Sequence, residues 1–183
     1  MQCARLWVAL GMILAAAAAR LLPHPPNLTP IGAMALFGGA AFSDRRVAFG
    51  IPLAAMFLSD VALGLLAGDL RITFHPHMPF VYLAFAIQVV LGMVFLRRLS
   101  VLRVGTVAFA GALQFFVLTN FAVWAIGNWY PKTWAGLAEC YVAALPFFQN
   151  QLIGDLGYSA VLFGAWALAE RFLPAAHPAE LRT

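Results

Sequence analysis

The chain has 183 residues, of which 63% are hydrophobic and only 10% charged, with a mean hydropathy of +0.88. A soluble domain has about a quarter of its residues charged, so this chain lacks the polar surface to sit in water, and disordered, coiled-coil and nucleic-acid-binding classes are excluded by the same figures. The net charge of +4 is spread in small basic clusters between apolar runs, the pattern of membrane loops and not of a phosphate-binding face.

A transmembrane helix needs about 20 mainly apolar residues to cross about 30 Å of hydrocarbon. The first such run covers residues 6–22. Arg5 before it and the alanines at its end also fit a signal peptide. The run continues through Arg20 into Leu21 and Leu22 without a polar cleavage region, however, which favours a retained helix. The second run, residues 31–42, is short and follows Pro30, so it is a tilted span or a re-entrant piece. Residues 47–67, 79–96 and 104–126 are the next three. Residues 135–148 and 152–173 come last, interrupted by Pro146. Proline cannot continue the interior helical hydrogen bonds, and a broken final element, bent or in two pieces, is expected there. The reading is an all-α membrane bundle of six spans, forming one domain over residues 1–173, with a short cytoplasmic tail at 174–183.

With the N-terminus inside, alternation places Arg5, Arg45, Arg46, Arg97, Arg98, Arg103, Arg171 and Arg182 on the inner side. The outer side receives only Arg20, Arg71 and Lys132. This positive-inside bias predicts a multi-pass protein of the bacterial cytoplasmic membrane with both termini cytoplasmic.

In that orientation the unusual polar residues gather in the outer half. Asp60 lies roughly 20 Å and Asn120 roughly 24 Å from the inner face at the helical rise, and Asp155 near the outer end of the last span. The outer loops carry His24, Asn27 and Thr29, then His75 and His77, then Tyr130 beside Trp129 and Trp134. Tyr82, Trp124 and Asn150 lie nearby in the chain. Ionisable groups inside a membrane are expensive and face a cavity, a partner or a transport path. A lidded pocket open to the outside accommodates all of them. Plainer roles stay open: Trp129, Tyr130 and Trp134 fit an interfacial aromatic belt, Asp60 a pair within the bundle, Asp155 a solvated helix end and His24 an ordinary loop. His75 and His77 could meet one metal, although a lone H-x-H is weak evidence.

Gly11, Ala15 and Ala19 recur every four residues on the first helix, a small-residue face on which another membrane subunit could dock. Cys3 and Cys140 form no C-x-x-C motif, so neither a disulfide framework nor a zinc knuckle is expected.

The stretches RLLPHPPNLTPIGAMALFGGAAFSDRR, PLAAMFLSD, HPHMPFVYLAFA and TNFAVWAIGNWYPKTWAGLAECYVAALPFFQNQLIGDL resemble a family of small uncharacterised bacterial multi-pass membrane proteins. More distantly, the pattern N-x-T-P-I-x-A-x-A-L-F-x-G and the proline-containing third helix ending in Asp resemble the substrate-binding S-components of energy-coupling-factor vitamin transporters. Among these the solitary, BtuM-like cobalamin transporters are similar in style. The resemblance implies a six-helix bundle holding one vitamin in an outward-facing pocket, with His24, Asp60, Tyr82 and the His75–His77 loop around it. Some of those cobalamin transporters set a cysteine against the cobalt from the loop before the fourth helix. This chain has none there, so His77 or His75 would serve. The chain carries no ATPase motif, so transport would be facilitated or driven by an energy-coupling subunit with ATPases. The expectation is a membrane transport protein for a small molecule, cobalamin being one candidate, with no intrinsic cofactor. The alternatives are a transition-metal transporter using the histidines, and an intramembrane enzyme using those histidines or Asp60 and Asp155, although the G-x-G-D and H-E-x-x-H motifs are absent.

Overall fold

A computed structural model describes residues 2–172 of the chain, with side chains from residue 4 onward. The expected tail at 174–183 and the side chain of Cys3 lie outside the described residues. The described residues form six α-helices and one 3₁₀ turn: α1 (Gln2–Ala19), α2 (Ile31–Ala41), α3 (Arg45–Leu66), the turn Leu70–Ile72, α4 (Met78–Phe95), α5 (Val101–Ile126) and α6 (Trp134–Ala169). Four of them, α3 to α6, are long and apolar enough to cross a membrane.

The helix starts follow local chemistry. The first N–H groups of a helix lack internal acceptors, and short polar side chains supply them. Asp44 accepts from the Arg46 N–H at 2.7 Å, Ser100 from Arg103 at 3.2 Å and Thr133 from Gly136 at 3.1 Å. Helices α2 and α4 begin without one, because Pro30 and His77 at their starts make no side-chain cap.

Helix α2 is the centre of the bundle. Nine of its eleven residues are buried, as expected for a helix that is apolar all round. At the helical rise it is about 16 Å long, too short to span a bilayer unaided, and it packs against each of the other five helices. Its tightest crossing is with α4, where Gly39 lies against the Val89 carbonyl and Gly92 against the Leu36 carbonyl, so that a Cβ on either glycine would overlap backbone. Small residues permit this close approach where lipid gives helices no solvent-driven reason to associate. Gly38 similarly makes room for the ring of Pro52 in α3. Helix α1 joins through Ala9, Ile13, Ala16 and Ala17, while Gly11 and Ala15 face outward. At the opposite end, Arg5 pairs with Glu170 at 3.3 Å.

The final element departs from expectation. It is one continuous helix, with Pro146 inside it. A proline removes one backbone donor but does not have to end a helix in a membrane bundle, where neighbouring groups and local adjustment satisfy the freed carbonyl. Asp155 consequently sits well inside α6, about 21 Å from its Ala169 end, and not at the start of a separate span.

The glycine crossing is directly testable. Gly92→Val should destabilise the protein by about 1–3 kcal/mol through overpacking, read as an earlier unfolding midpoint in detergent, while Gly105→Val, with open space around the glycine, should change it little. Equal midpoints for the two variants would show that the α2–α4 contact is not a tight one.

Candidate functional site

A cavity of about 240 Å³ opens between α2, α3, α4, α5 and α6 at the end of the bundle that carries the 20–30 and 67–77 loops. Its walls bring together five of the sequence-predicted residues, Asn27, Thr29, Asp60, His75 and Asp155. Arg20, Gly32 and Gln151 join them, and Met56, Met78, Val81, Phe85 and Phe115 supply the apolar part of the lining.

Two acids behave differently in this space. Asp60 is fully buried and completely engaged. Arg20 Nη1 donates to Asp60 Oδ1 at 2.5 Å and to Ser59 Oγ at 2.8 Å, and Tyr82 Oη donates to Asp60 Oδ2 at 2.8 Å. Ser59 Oγ in turn donates to the Met56 carbonyl at 2.8 Å. The cluster therefore ties the end of α1 to α3 and α4, and its charges cancel.

Asp155 is 3% exposed and has no such compensation. Among the described residues its single hydrogen bond comes from Gln151 Nε2, a long one at 3.5 Å, and no cation pairs with it. It packs against Gly32 in the first turn of α2, where any Cβ would overlap the carboxyl group. Position 32 is thus glycine for space and not for backbone freedom. The α2 N-terminus lends roughly half a positive charge. The rest must be met by a proton or by something that enters the cavity, because an unpaired buried charge is costly.

The rim is built from irregular backbone. Asn27 adopts a left-handed φ of 62°, a conformation that asparagine tolerates better than most residues. Asn150 anchors this loop to α6 by donating to the Pro26 carbonyl at 3.0 Å. His75 stands on the exposed rim with its ring 5.5 Å from that of His77. Partial desolvation, reinforced by His77 and opposed by Asp60, lowers its pKa below the ordinary histidine value, so it is neutral at pH 7.

The other expected site residues lie outside this wall. His24 turns back on its own loop, its ring nitrogens 3.0 and 3.1 Å from the Pro25 and Arg20 carbonyl oxygens. His77 starts α4 and stacks toward Trp129 at 6.2 Å. Tyr82 acts from behind Asp60. Asn120 donates to the Phe116 carbonyl at 2.8 Å and borders an adjoining cleft of about 100 Å³ that shares Asn27, Phe115 and Gln151 with the cavity. Trp124 donates to the Pro131 carbonyl at 2.9 Å, and Lys132 donates to the carbonyls of Trp124 and Gly127, closing the α5–α6 loop in which Tyr130 is half-buried. Among the described residues no group of three or more His, Cys, Asp or Glu side chains is arranged to hold a metal. Cys140 is a buried free thiol.

Arg20 and Gln151 are two polar wall residues that the sequence does not single out. In the sequence Arg20 reads as an outer-loop charge. Its position directly after an apolar run, with an acid in another span, was the available signal. Gln151 lies four residues before Asp155 and so on the same helical face.

Breaking a buried pair by removing one partner costs about 3–5 kcal/mol. Arg20→Met and Asp60→Leu should each lose stability on that scale in detergent unfolding, and the double variant should lose clearly less than their sum. Additive losses would mean that the two side chains do not act as a pair.

Neither curated proteins nor solved structures gave a match to the chain. A model of a family of unknown function, DUF6580, matches residues 2–176, nearly its full length. The chain belongs to that family.

Proposed function

We propose that the protein is a substrate-binding membrane transport protein that takes up a small polar molecule through the cavity between α2 and α6. The observation that carries this reading is Asp155, a buried carboxyl on the cavity wall with no counter-ion among the described residues. Such groups mark binding sites and transport paths. The chain has no nucleotide-binding motif, so uptake is facilitated or driven by an energy-coupling subunit, for which the outward Gly11–Ala15–Ala19 side of α1 is the docking face. In this reading all six helices sit in the bacterial cytoplasmic membrane, α2 as a short central piece, with both termini cytoplasmic and the cavity open to the outside.

The volume limits the ligand. About 240 Å³ falls below the about 300–1,000 Å³ of pockets for drug-sized molecules, so a compact molecule suits this cavity better than a corrin. A vitamin as large as cobalamin would need the 20–30 and 67–77 loops to open. An acid–base pair of Asp60 and Asp155 is disfavoured because Arg20 and Tyr82 occupy both oxygens of Asp60.

Two measurements test the proposal. Single cysteines at Thr73 and Pro131 on a cysteine-free background should label from the outside of intact cells, and those at Ser43 and Arg98 only after the membrane is opened. Labelling of position 98 from outside would overturn the orientation. Mass spectrometry of small molecules released from the purified protein should find a species in the wild type that is lost in Thr29→Trp, which fills the cavity mouth. Identical released species from both proteins would remove the cavity as a binding site.

A further inference from the structure

We infer that the cavity selects a small organic cation, a primary or secondary ammonium on a compact apolar body, which Asp155 binds by a charge-assisted hydrogen bond. The inference rests on the binding role proposed above and adds the chemical class of the ligand.

The charges of the wall set the sign. Arg20 and Asp60 neutralise each other at 2.5 Å, and the same guanidinium nitrogen also serves Ser59. Neutral His75 contributes no charge at pH 7. That leaves the Asp155 carboxyl, 3% exposed, with Gln151 as its single hydrogen-bonding neighbour among the described residues. A ligand of net charge +1 takes the place of the proton that otherwise neutralises this buried carboxyl, whereas an anion gains no such exchange.

The remaining wall chooses between kinds of cation. An inorganic ion such as calcium or magnesium requires about six or more oxygen ligands. Here much of the lining is carbon and sulfur, from Met56, Met78, Val81, Phe85 and Phe115. Phe85 and Phe115 form a tilted pair with centroids 4.9 Å apart. Such rings take the apolar body of an amine, and their faces attract an ammonium group. The side-chain oxygens of Asn27, Thr29 and Gln151 at the same cavity supply acceptors for N–H groups that Asp155 does not reach.

The test uses purified full-length protein in detergent and four probes built on one skeleton: benzylammonium, benzyl alcohol, benzoate and phenylglycine, each titrated by calorimetry at pH 7. Benzylammonium should bind at least about tenfold more tightly than benzyl alcohol, the minimum expected for a hydrogen bond to a charged partner in a desolvated site. Asp155→Asn should abolish that preference, bringing the amine and the alcohol to within about twofold of each other. The wild-type ranking alone decides the matter if the variant does not fold. Benzyl alcohol binding as tightly as the amine would overturn the cation inference and leave the cavity as a small-molecule site. Tighter binding of benzoate or phenylglycine would overturn it in favour of carboxylate recognition through Arg20 and the α2 N-terminus. Absence of binding by all four would overturn the inference, whereas the binding role itself stands or falls on whether Thr29→Trp changes the released species.

Discussion

The ion pair between Arg20 and Asp60 is the interaction on which the cavity end of the bundle depends. It fastens the end of α1 to α3, and through Tyr82 it holds α4 against both. A buried carboxylate is tolerable only when its lone pairs are met, and here two donors with oriented geometry meet both oxygens. The Coulombic attraction is stronger than on the surface because little water reaches the pair, whose side chains are 14% and 1% exposed. The same engagement removes Asp60 from any role needing a free carboxylate. The second acid, Asp155, is as deeply buried but has no cation beside it among the described residues.

Much of this arrangement could be read from the chain. Composition and hydropathy led to a helical membrane bundle, and four of its helices have the length and apolarity to cross. Polar spacing brings Asn27, Thr29, Asp60 and His75 to the end of the bundle where the cavity lies, whereas Asp155 reaches it from within the continuous α6 and not from the start of a separate span. The pairing of Arg20 with Asp60 could not be read in this way, because the partners are 40 residues apart, and an arginine after one apolar run with an acid in another does not fix which groups meet. Proline misled in α6: its local cost is fixed by covalent geometry, but whether a helix tolerates it depends on neighbours that the sequence does not reveal. The aromatic and histidine residues of the outer loops were over-assigned for a related reason. Trp124 and His24 have polar edges that the loops' own carbonyls satisfy, and composition cannot tell a lining group from a loop fastener.

The cavity itself is a consequence of α2 being short. The chain reaches α2 through a proline-rich loop that cannot be helical, and this loop lies alongside α6 in its middle stretch: Asn150 bonds Pro26, and Gly154 lets the backbone of Leu28 and Thr29 come close. Those contacts fall about 24–30 Å along α6 from Trp134 at the helical rise, far from either end of that helix. Irregular backbone at such a level is tolerated only where protein or a water-filled space satisfies it. The uncapped first turn of α2 adds N–H groups with the same need. A longer α2 would bury those groups in its own hydrogen bonds and fill the space beside Asp155 with helix. The loop, the bare helix start and the unpaired carboxyl are thus one feature seen from three sides, and a polar cavity at membrane depth is the condition under which all three can coexist.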